Sequence, residues 1–325
     1  KRKNVNIKKN TMVLKIIFKG LKAIGLVYER NNKKFEIFAN KEIILCAGAI
    51  GTPHLLQVSG IGDAEYLKSI GIDPLYEIKN VGEGLQDHYA VRVANKINLP
   101  ISLNEKARGY KLFLEIMKWF ILKKGLISYS PAHVGAFLKS SSEIDFPDLQ
   151  FVFTPASYTE GMIGKLQEVP GITCGVWQSR PLSRGYVRAL SQNIKDAPII
   201  QPNYLKEKTD QDVLVSGFKM CRALLKTSNM DKISVGETLP GQNIQTDEEI
   251  LNYLRNNGAT VYHAIGSCRM GIDDYAVVTP SLKIKGLSNI RIADASIMPT
   301  MPSGNTNAAT LMIAEKASDI IKKEL

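Results

Sequence analysis

The stretch Ile43-Ile-Leu-Cys-Ala-Gly-Ala-Ile-Gly-Thr-Pro53 decides the fold class of this 325-residue chain. Its first four residues form an apolar run typical of a buried strand, the small residues after them predict a turn, and Thr52-Pro53 predicts the start of a helix. A strand, a glycine-containing turn and a helix in this order form half of an α/β unit, in which ligands bind at the carboxyl end of the strand. The stretch therefore predicts an α/β domain with a ligand site at this turn.

Both ends of the chain share this α/β character. Upstream, apolar runs bounded by turn residues predict three more strands, at Met12–Phe18, Ile24–Tyr28 and Phe35–Phe38. Downstream, Asn289–Ala293 predicts another strand, and an apolar stripe at helical spacing predicts a last helix from about Asn305 to Lys323. We therefore assign residues 1–95 and 256–325 to one α/β, Rossmann-like domain.

The middle of the chain, residues 96–255, is predicted to be an inserted α+β domain. A helix predicted from about Lys106 to Lys123 comes first. Strand-like runs follow at Asp148–Thr154, Gly171–Gln178, Gly185–Leu190 and Pro198–Gln201. Successive strands without intervening helices indicate an antiparallel sheet with helices on one face. Capping-box patterns that begin at Thr209 and Thr246 predict two helices that close this domain.

Composition excludes several classes of protein. Apolar residues make up 44% of the chain and charged residues 22%, so the chain is neither disordered nor fibrous. Lys and Arg exceed Asp and Glu by 42 − 31 = +11, but five of these positive charges lie in the first nine residues. No recognised nucleic-acid-binding motif accompanies the charge. We therefore expect a solvated basic surface and no nucleic-acid partner, with a basic nucleic-acid or membrane-surface protein as the rival interpretation.

Cysteine spacing and hydropathy bear on metals and membranes. The four cysteines lie far apart without a CxxC pair, so the sequence predicts neither a zinc site nor a dense disulfide framework, and no metal is expected. The most apolar long stretch, Leu112–Ile127, is interrupted by three lysines. This pattern predicts an amphipathic helix and not a transmembrane segment.

His263 and Asn305 are the residues best suited to chemistry. His263 opens a glycine-containing turn shortly before the Asn289–Ala293 strand, and Asn305 stands where the last helix begins, so one domain can bring both to the same strand ends. An imidazole can take a proton from a hydroxyl near neutral pH, whereas an amide can orient or stabilise the resulting oxygen. Such a pair suits alcohol oxidation. Asn305 is equally well suited to a purely structural role as a helix N-cap.

Five motifs, in the same order along the chain, resemble a known family. They are Gly48-Ala-Ile-Gly-Thr-Pro-His-Leu-Leu-Gln-Val-Ser-Gly-Ile-Gly62, Val81-Gly-Glu-Gly-Leu-Gln-Asp-His88, Arg180-Pro-Leu-Ser-Arg-Gly185, Tyr262-His-Ala-Ile-Gly-Ser-Cys-Arg-Met-Gly271, and Asp294-Ala-Ser-Ile-Met-Pro299 with Ser303-Gly-Asn-Thr-Asn-Ala308. Together they span essentially the whole chain and resemble the glucose-methanol-choline (GMC) oxidoreductases. Among the subfamilies the chain is most similar to glucose dehydrogenase (acceptor), with choline dehydrogenase next.

The resemblance implies an FAD enzyme that oxidises an alcohol or sugar hydroxyl and reduces an external electron acceptor, with a dehydrogenase favoured over an oxidase. In such enzymes a histidine base removes the hydroxyl proton while the carbon gives hydride to flavin N5. By position His263 is that base, Asn305 is the second catalytic residue, and Asn307 is its less favoured alternative. Cofactor contacts are implied for Val13, Ala47, Tyr262, Asp294, Ala295 and Thr306.

The same resemblance assigns a function to each domain. Residues 1–95 and 256–325 correspond to the FAD-binding domain, and residues 96–255 correspond to the substrate-binding domain. The family pattern usually has Asn where this chain has Gly84, which removes one amide near the cofactor.

No GxGxxG loop occurs in the chain, although the family opens with one that holds the FAD pyrophosphate. We therefore expect a C-terminal portion of a protein about twice as long, with an incomplete FAD domain that is inactive alone. The strands ending at Cys46 and Ala293 are then expected to flank a strand outside the chain. A signal peptide upstream of Lys1 would make the protein a secreted one; the sequence itself leaves the compartment open.

The alternatives left open are a choline dehydrogenase-like or other GMC enzyme, a family member that uses the flavin for structure or lyase chemistry, and an inactive fragment.

Overall fold

The computed structural model describes residues 2–130, 132–159 and 165–324. The chain divides into two compact units, and the first contains residues 2–87, 183–203 and 263–324. The second contains the described residues of 88–182 and 204–262. The sequence placed the inserted domain at 96–255, so residues 183–203 are the main difference, because they pack with the first unit.

The described residues form sixteen strands. In chain order they are β1 (Met12–Lys19), β2 (Lys22–Arg30), β3 (Lys33–Phe38), β4 (Ile43–Leu45), β5 (Ile61–Gly62), β6 (Tyr76–Glu77), β7 (Glu83–Leu85), β8 (Tyr89–Ile97), β9 (Val134–Leu138), β10 (Leu149–Thr154), β11 (Gly171–Gln178), β12 (Gly185–Arg188), β13 (Ile199–Gln201), β14 (Ser234–Leu239), β15 (Ala259–Thr260) and β16 (Ile290–Ile292).

Eight α-helices lie between these strands within the described residues. They are α1 (Gly48–Val58), α2 (Ala64–Ser69), α3 (Leu103–Lys106), α4 (Gly109–Leu122), α5 (Lys208–Leu225), α6 (Ser228–Asp231), α7 (Asp247–Asn257) and α8 (Thr306–Glu324). Two 3-10 helices cover Leu126–Ser128 and Ala295–Ile297. None of the described helices is both long enough and apolar enough to cross a membrane.

The first unit is built around a parallel strand pair. β4 and β16 pair directly, with Ile43 opposite Ile290 and Leu45 opposite Ile292. This contradicts the expectation that a further strand separates the two. The pair lies in one apolar core with β1 and β2 of the antiparallel β1-β2-β3 sheet and with α1 and α8. All four strands predicted in residues 12–46 are present.

Helix α1 begins at Gly48, four residues before the predicted start at Thr52. The backbone N–H of Gly48 donates to Oδ2 of Asp294 at 2.9 Å, which satisfies one of the donors that the first turn of a helix leaves without an intrahelical partner. Pro53 consequently lies inside the helix and not in its first turn. Local sequence could not show this start, because Asp294 is distant along the chain.

The second unit is an antiparallel sheet with the order β14-β8-β11-β10-β9, and β15 also pairs with β8. Helix α5 packs on β8 and β11 through side chains repeated every three or four residues, including Leu214, Phe218, Cys221 and Leu225. Helix α7 contributes Ile250 and Leu254 to the same core. The predicted antiparallel sheet with packed helices is therefore confirmed.

Two details of the middle region were predicted wrongly. β12 and β13 do not belong to this sheet; they pair with each other and with β7 in the first unit. Helix α5 begins at Lys208, with Glu207 at the N-cap and no side-chain cap, so Thr209 does not cap it. The helix expected from about Lys106 to Lys123 is present as α4, and the short helix α3 precedes it.

The capping box at Thr246 is confirmed. The backbone N–H of Glu249 donates to Thr246 Oγ1 at 3.2 Å, and the backbone N–H of Thr246 donates to Glu249 Oε2 at 2.8 Å. Both donors would otherwise lack an intrahelical partner, so this reciprocal pair fixes the start of α7.

Candidate active site

The structure brings the two predicted catalytic residues together. Nδ2 of Asn305 lies 3.1 Å from Nε2 of His263, within hydrogen-bonding distance. Asn305 is exposed and directly precedes α8, whereas the His263 side chain is half-buried. Both belong to the first unit, although 42 residues separate them along the chain. An imidazole and a carboxamide therefore face the same small region of the surface.

The segment that begins at His263 is held by hydrogen bonds on two sides. On one side, Gly82 donates to Ser267 O at 2.7 Å, and Gln86 exchanges backbone hydrogen bonds with Ile265. On the other side, Cys268 donates to Ser296 O at 2.9 Å. The main chain carrying the imidazole is thereby fixed like a strand between two neighbours.

Two glycines, Gly84 and Gly266, allow the backbone of the segment that begins at His263 to lie close to the backbone after Val81. Gly84 and Gly266 have φ angles of +82° and +84°, in the region that glycine adopts at least cost. A Cβ on Gly266 would stand 2.8 Å from the carbonyl oxygen of Gly84, which is too close. Asn is one of the few other residues that tolerate such a φ, so this backbone accommodates both Gly84 and the Asn of the family pattern.

The environment of His263 favours its neutral form. Burial lowers the pKa of the imidazole from 6.5, and the negative charge of Asp87 raises the pKa in part compensation. Asp87 also accepts the backbone N–H of His263 through Oδ1 at 2.8 Å. A neutral imidazole can accept a proton, so burial favours the form of His263 that a base would need.

Asp294 connects the end of β16 to the start of α1. Its Oδ2 accepts from Gly48 N at 2.9 Å and from Thr52 Oγ1 at 2.6 Å, and its Oδ1 accepts from Ser296 N at 2.8 Å. The side chain is buried, and its negative charge lies at the positive end of the α1 dipole. Asp294 therefore organises the turn in addition to any contact with a ligand.

A small apolar cluster joins the His263 segment to α8. Ile265, Met298 and Met301 are buried together, and Ala295 and Ala309 pack against them. The 3-10 helix Ala295–Ile297 contacts both α1 and α8. The His263 segment, the Asp294 turn and the start of α8 thus share one packed support.

Not all of the residues predicted to contact the cofactor lie beside this apolar cluster. Ala47 and Asp294 lie at the adjacent ends of β4 and β16, Ala295 is in the cluster just described, and Thr306 is buried at the first position of α8. Val13 lies on β1, where it packs against the core that contains the parallel pair. Tyr262 belongs to the second unit and is 76% exposed.

The described residues fit the flavin end of FAD. Cys46 and Ala47 are exposed directly after buried Leu45, and a Cβ on Gly48 would meet no described atom within 4 Å apart from its chain neighbours and the backbone of α1. The free N–H groups at a helix N-terminus favour an anionic group, and α8 begins beside Asn305. The GxGxxG loop that normally cradles the pyrophosphate has no counterpart in the 325 residues. Within the part of the chain that the structure describes, no group of three His, Cys, Asp or Glu residues could hold a metal ion.

Sequence reasoning missed the parts played by Gln86, Asp87 and Thr52. All three are buried and lie inside the family motifs. The partner of Asp87 lies 176 residues away along the chain, and a partner of Thr52 lies 242 residues away. The signal that could have found Asp87 is an acidic residue two positions after Leu85, the apolar end of β7, because a buried carboxylate needs donors.

Comparisons with known proteins agree with this architecture. Two family profiles described as GMC oxidoreductase match residues 1–90 and 181–314. The chain belongs to the GMC oxidoreductase family, and its predicted fold class is confirmed. The family binds FAD.

Two curated relatives are named oxygen-dependent choline dehydrogenase. The one from Staphylococcus xylosus is 36% identical over 326 residues, with 99% of this chain and 58% of the relative covered. The one from Staphylococcus aureus (strain N315) is 37% identical, with 99% of this chain and 57% of the relative covered. The chain thus spans a little over half the length of these relatives.

Solved structures show the same fold. Pyridoxine 4-oxidase from Mesorbium loti superposes with a TM-score of 0.82 at 25% identity, with 95% of this chain and 56% of that chain covered. An FAD-dependent oxidoreductase from Chaetomium thermophilum gives a TM-score of 0.85 at 24% identity, with 99% and 62% covered.

Proposed function

We propose that this chain carries the substrate-oxidising residues of an FAD-dependent enzyme acting on a CH–OH group, with His263 as the base and Asn305 as its partner. The observation that carries the proposal is the 3.1 Å separation between Asn305 Nδ2 and His263 Nε2. Two residues of the types needed for hydroxyl deprotonation meet at a site whose family uses a redox cofactor.

The hydrogen bond gives each residue a defined state. If the Asn305 amide donates to Nε2, the imidazole is neutral and carries its proton on Nδ1. Nε2 then carries the ring lone pair that can take a proton, and the substrate hydroxyl must first displace the Asn305 amide from it. The displaced amide can then donate a hydrogen bond to the oxygen as it loses this proton. Lowering of the His263 pKa by burial keeps this state populated at neutral pH.

The rest of the chain supplies the redox and binding functions in this proposal. FAD, when bound, accepts the hydride that leaves the carbon of the alcohol. Ala47, Asp294, Ala295 and Thr306 are the residues proposed to contact it at the strand ends, with Val13 and Tyr262 as further contacts. The second unit is proposed to bind the substrate.

For the substrate, a choline-type amino alcohol is now favoured over glucose. The curated relatives at 36–37% identity are named choline dehydrogenases. These names support the choline dehydrogenase interpretation of the motifs over the glucose dehydrogenase interpretation. Those names describe oxygen-dependent dehydrogenases, and a structural neighbour is named an oxidase. We keep an external electron acceptor in the proposal and leave its identity to measurement.

The test uses the complete, FAD-loaded protein that contains this chain. Under anaerobic conditions, choline, glucose and a simple primary alcohol are each mixed with the enzyme, and the visible absorbance of the oxidised flavin is followed. We expect bleaching with choline at the lowest concentration. Bleaching by glucose alone would favour the glucose dehydrogenase interpretation instead. Absence of bleaching by any of the alcohols would favour a structural or lyase role for the flavin.

A further inference from the structure

Gln86 connects the two chain segments that carry His263 and Asn305. Its backbone N–H donates to Ile265 O at 3.1 Å, and Ile265 N donates back to Gln86 O at 2.9 Å. Its side-chain Oε1 accepts the backbone N–H of Met301 at 3.1 Å. Ile265 follows His263 by two residues, and Met301 precedes Asn305 by four. One residue therefore holds both segments at a fixed separation.

Asp87 holds the His263 segment at a second point. Its Oδ1 accepts the backbone N–H of His263 at 2.8 Å, so the chain is fixed at the residue that bears the imidazole. The side chains of Gln86 and Asp87 are only 2% and 6% exposed, so water competes little for these hydrogen bonds. The strand that leads into them, β7, is itself paired with β12.

We propose that Gln86 and Asp87 are positioning residues that set the distance and orientation between the His263 imidazole and the Asn305 amide. The inference rests on the proposed function, because it assigns a purpose to that pair. Neither residue is proposed to touch substrate or cofactor; each acts through the main chain it holds. A displacement of about 1 Å in a reacting group can cost roughly 100-fold in rate, so small shifts of either segment should be measurable.

Asp87 has an electrostatic effect in addition to its hydrogen bond. Its charge raises the pKa of His263 against the lowering caused by burial, and Asp87 is the charged group identified as acting on this imidazole. Asn305, which contacts the ring through its amide, is neutral. Removing the charge should lower the His263 pKa further. The acid limb of the rate profile would then move to lower pH, because the base is active when neutral.

The first experiment separates charge from hydrogen bonding at Asp87. Asp87→Asn keeps a side-chain oxygen that can accept the His263 N–H, whereas Asp87→Ala removes both charge and acceptor. In the complete, FAD-loaded protein the His263 imidazole is followed by NMR titration and assigned with a His263→Gln variant. We expect both Asp87 variants to lower the His263 pKa, and only Asp87→Ala to lower kcat by roughly tenfold or more. An unchanged His263 pKa in both variants would overturn the role of Asp87.

The second experiment tests Gln86 in the complete, FAD-loaded protein. Gln86→Leu removes the acceptor for Met301 N–H, and Gln86→Glu retains one. We expect Gln86→Leu to reduce kcat by roughly 10- to 100-fold with KM changed by less than about threefold, and Gln86→Glu to recover part of the loss. A kcat equal to wild type in Gln86→Leu would overturn the role of Gln86.

Gln57 provides the matched control. It is buried in the same unit, where its Nε2 donates to Val81 O at 2.9 Å and to Val187 O at 3.0 Å, and its Oε1 accepts from Ala189 N at 2.6 Å. Gln57→Leu should destabilise the fold like Gln86→Leu but leave kcat and the His263 pKa unchanged. Equal kcat losses in the two variants would show that only stability is involved, and the inference would fail.

Failure of the proposed function gives a different result. If the Asp87 variants shift the His263 pKa while His263→Gln retains full turnover, the positioning of the imidazole is supported and its catalytic role is wrong.

Discussion

The carboxylate of Asp294 accepts a hydrogen bond from the backbone N–H of Gly48 at 2.9 Å across 246 residues of sequence. This contact joins the end of β16 to the start of α1, directly beside the parallel pairing of β4 with β16. The turn after β4 is therefore shaped by a residue from the far end of the chain. The first prediction follows from this contact.

Asp294→Ala leaves three donors without their acceptor, namely Gly48 N, Thr52 Oγ1 and Ser296 N. Because each buried donor that loses its partner costs about 1–3 kcal/mol, we expect a loss of roughly 3 kcal/mol or more in the free energy of unfolding. Urea denaturation measures it. Asp63→Ala is the control: Asp63 caps α2 through one hydrogen bond to Tyr66 N, so its loss should cost only about 1 kcal/mol.

His263→Ala should reduce alcohol oxidation by the complete enzyme by about 10²–10⁴-fold while FAD stays bound, because a general base typically contributes that much. Stopped-flow flavin reduction and the absorbance of bound flavin report the two quantities. His133→Ala serves as control, since His133 is exposed and lies in the second unit. Turnover at the wild-type rate in His263→Ala would remove this residue from the mechanism.

Asn305→Ala should slow flavin reduction and also destabilise the protein by about 1 kcal/mol, because the residue is proposed as both catalytic amide and cap of α8. Asn307→Ala provides the comparison. Asn307 is exposed within the first turn of α8, so we expect little change in rate. A larger rate loss in Asn307→Ala would transfer the catalytic assignment to that residue.

Acidification should destabilise the protein through buried His54 and half-buried His263. Burial lowers the pKa of both His54 and His263 below 6.5, so the unfolded chain binds protons at a pH where these side chains stay neutral in the folded state. The contribution of these two histidines to the free energy of unfolding is constant above pH 6.5. The free energy of unfolding then falls as the pH drops below that value. Thermal melts from about pH 8 to pH 5 check the direction. In His54→Leu the fall should be smaller; an equal fall would exclude a contribution from His54.

The local patterns of the chain determined much of the first unit and one helix start in the second. Strands β1 to β4, helix α8 and the capping box at Thr246 follow from apolar periodicity and from side chains that act within three or four residues. The motifs around His263 and Asn305 likewise indicated the family and the candidate pair, because those residue types and their spacing are properties of the sequence.

Tertiary structure alone decided how these parts meet. Hydrogen bonds between distant segments pair β4 directly with β16 and set the start of α1 at Gly48. Such hydrogen bonds also place β12 and β13 in a sheet with β7. Gln86 and Asp87 belong to the same category, since each looks like an ordinary polar residue until its partners at Met301 and His263 are known. The physical reason is the same throughout: propensity and periodicity act over a few residues, whereas a buried donor or acceptor takes whichever partner the folded chain brings within about 3 Å.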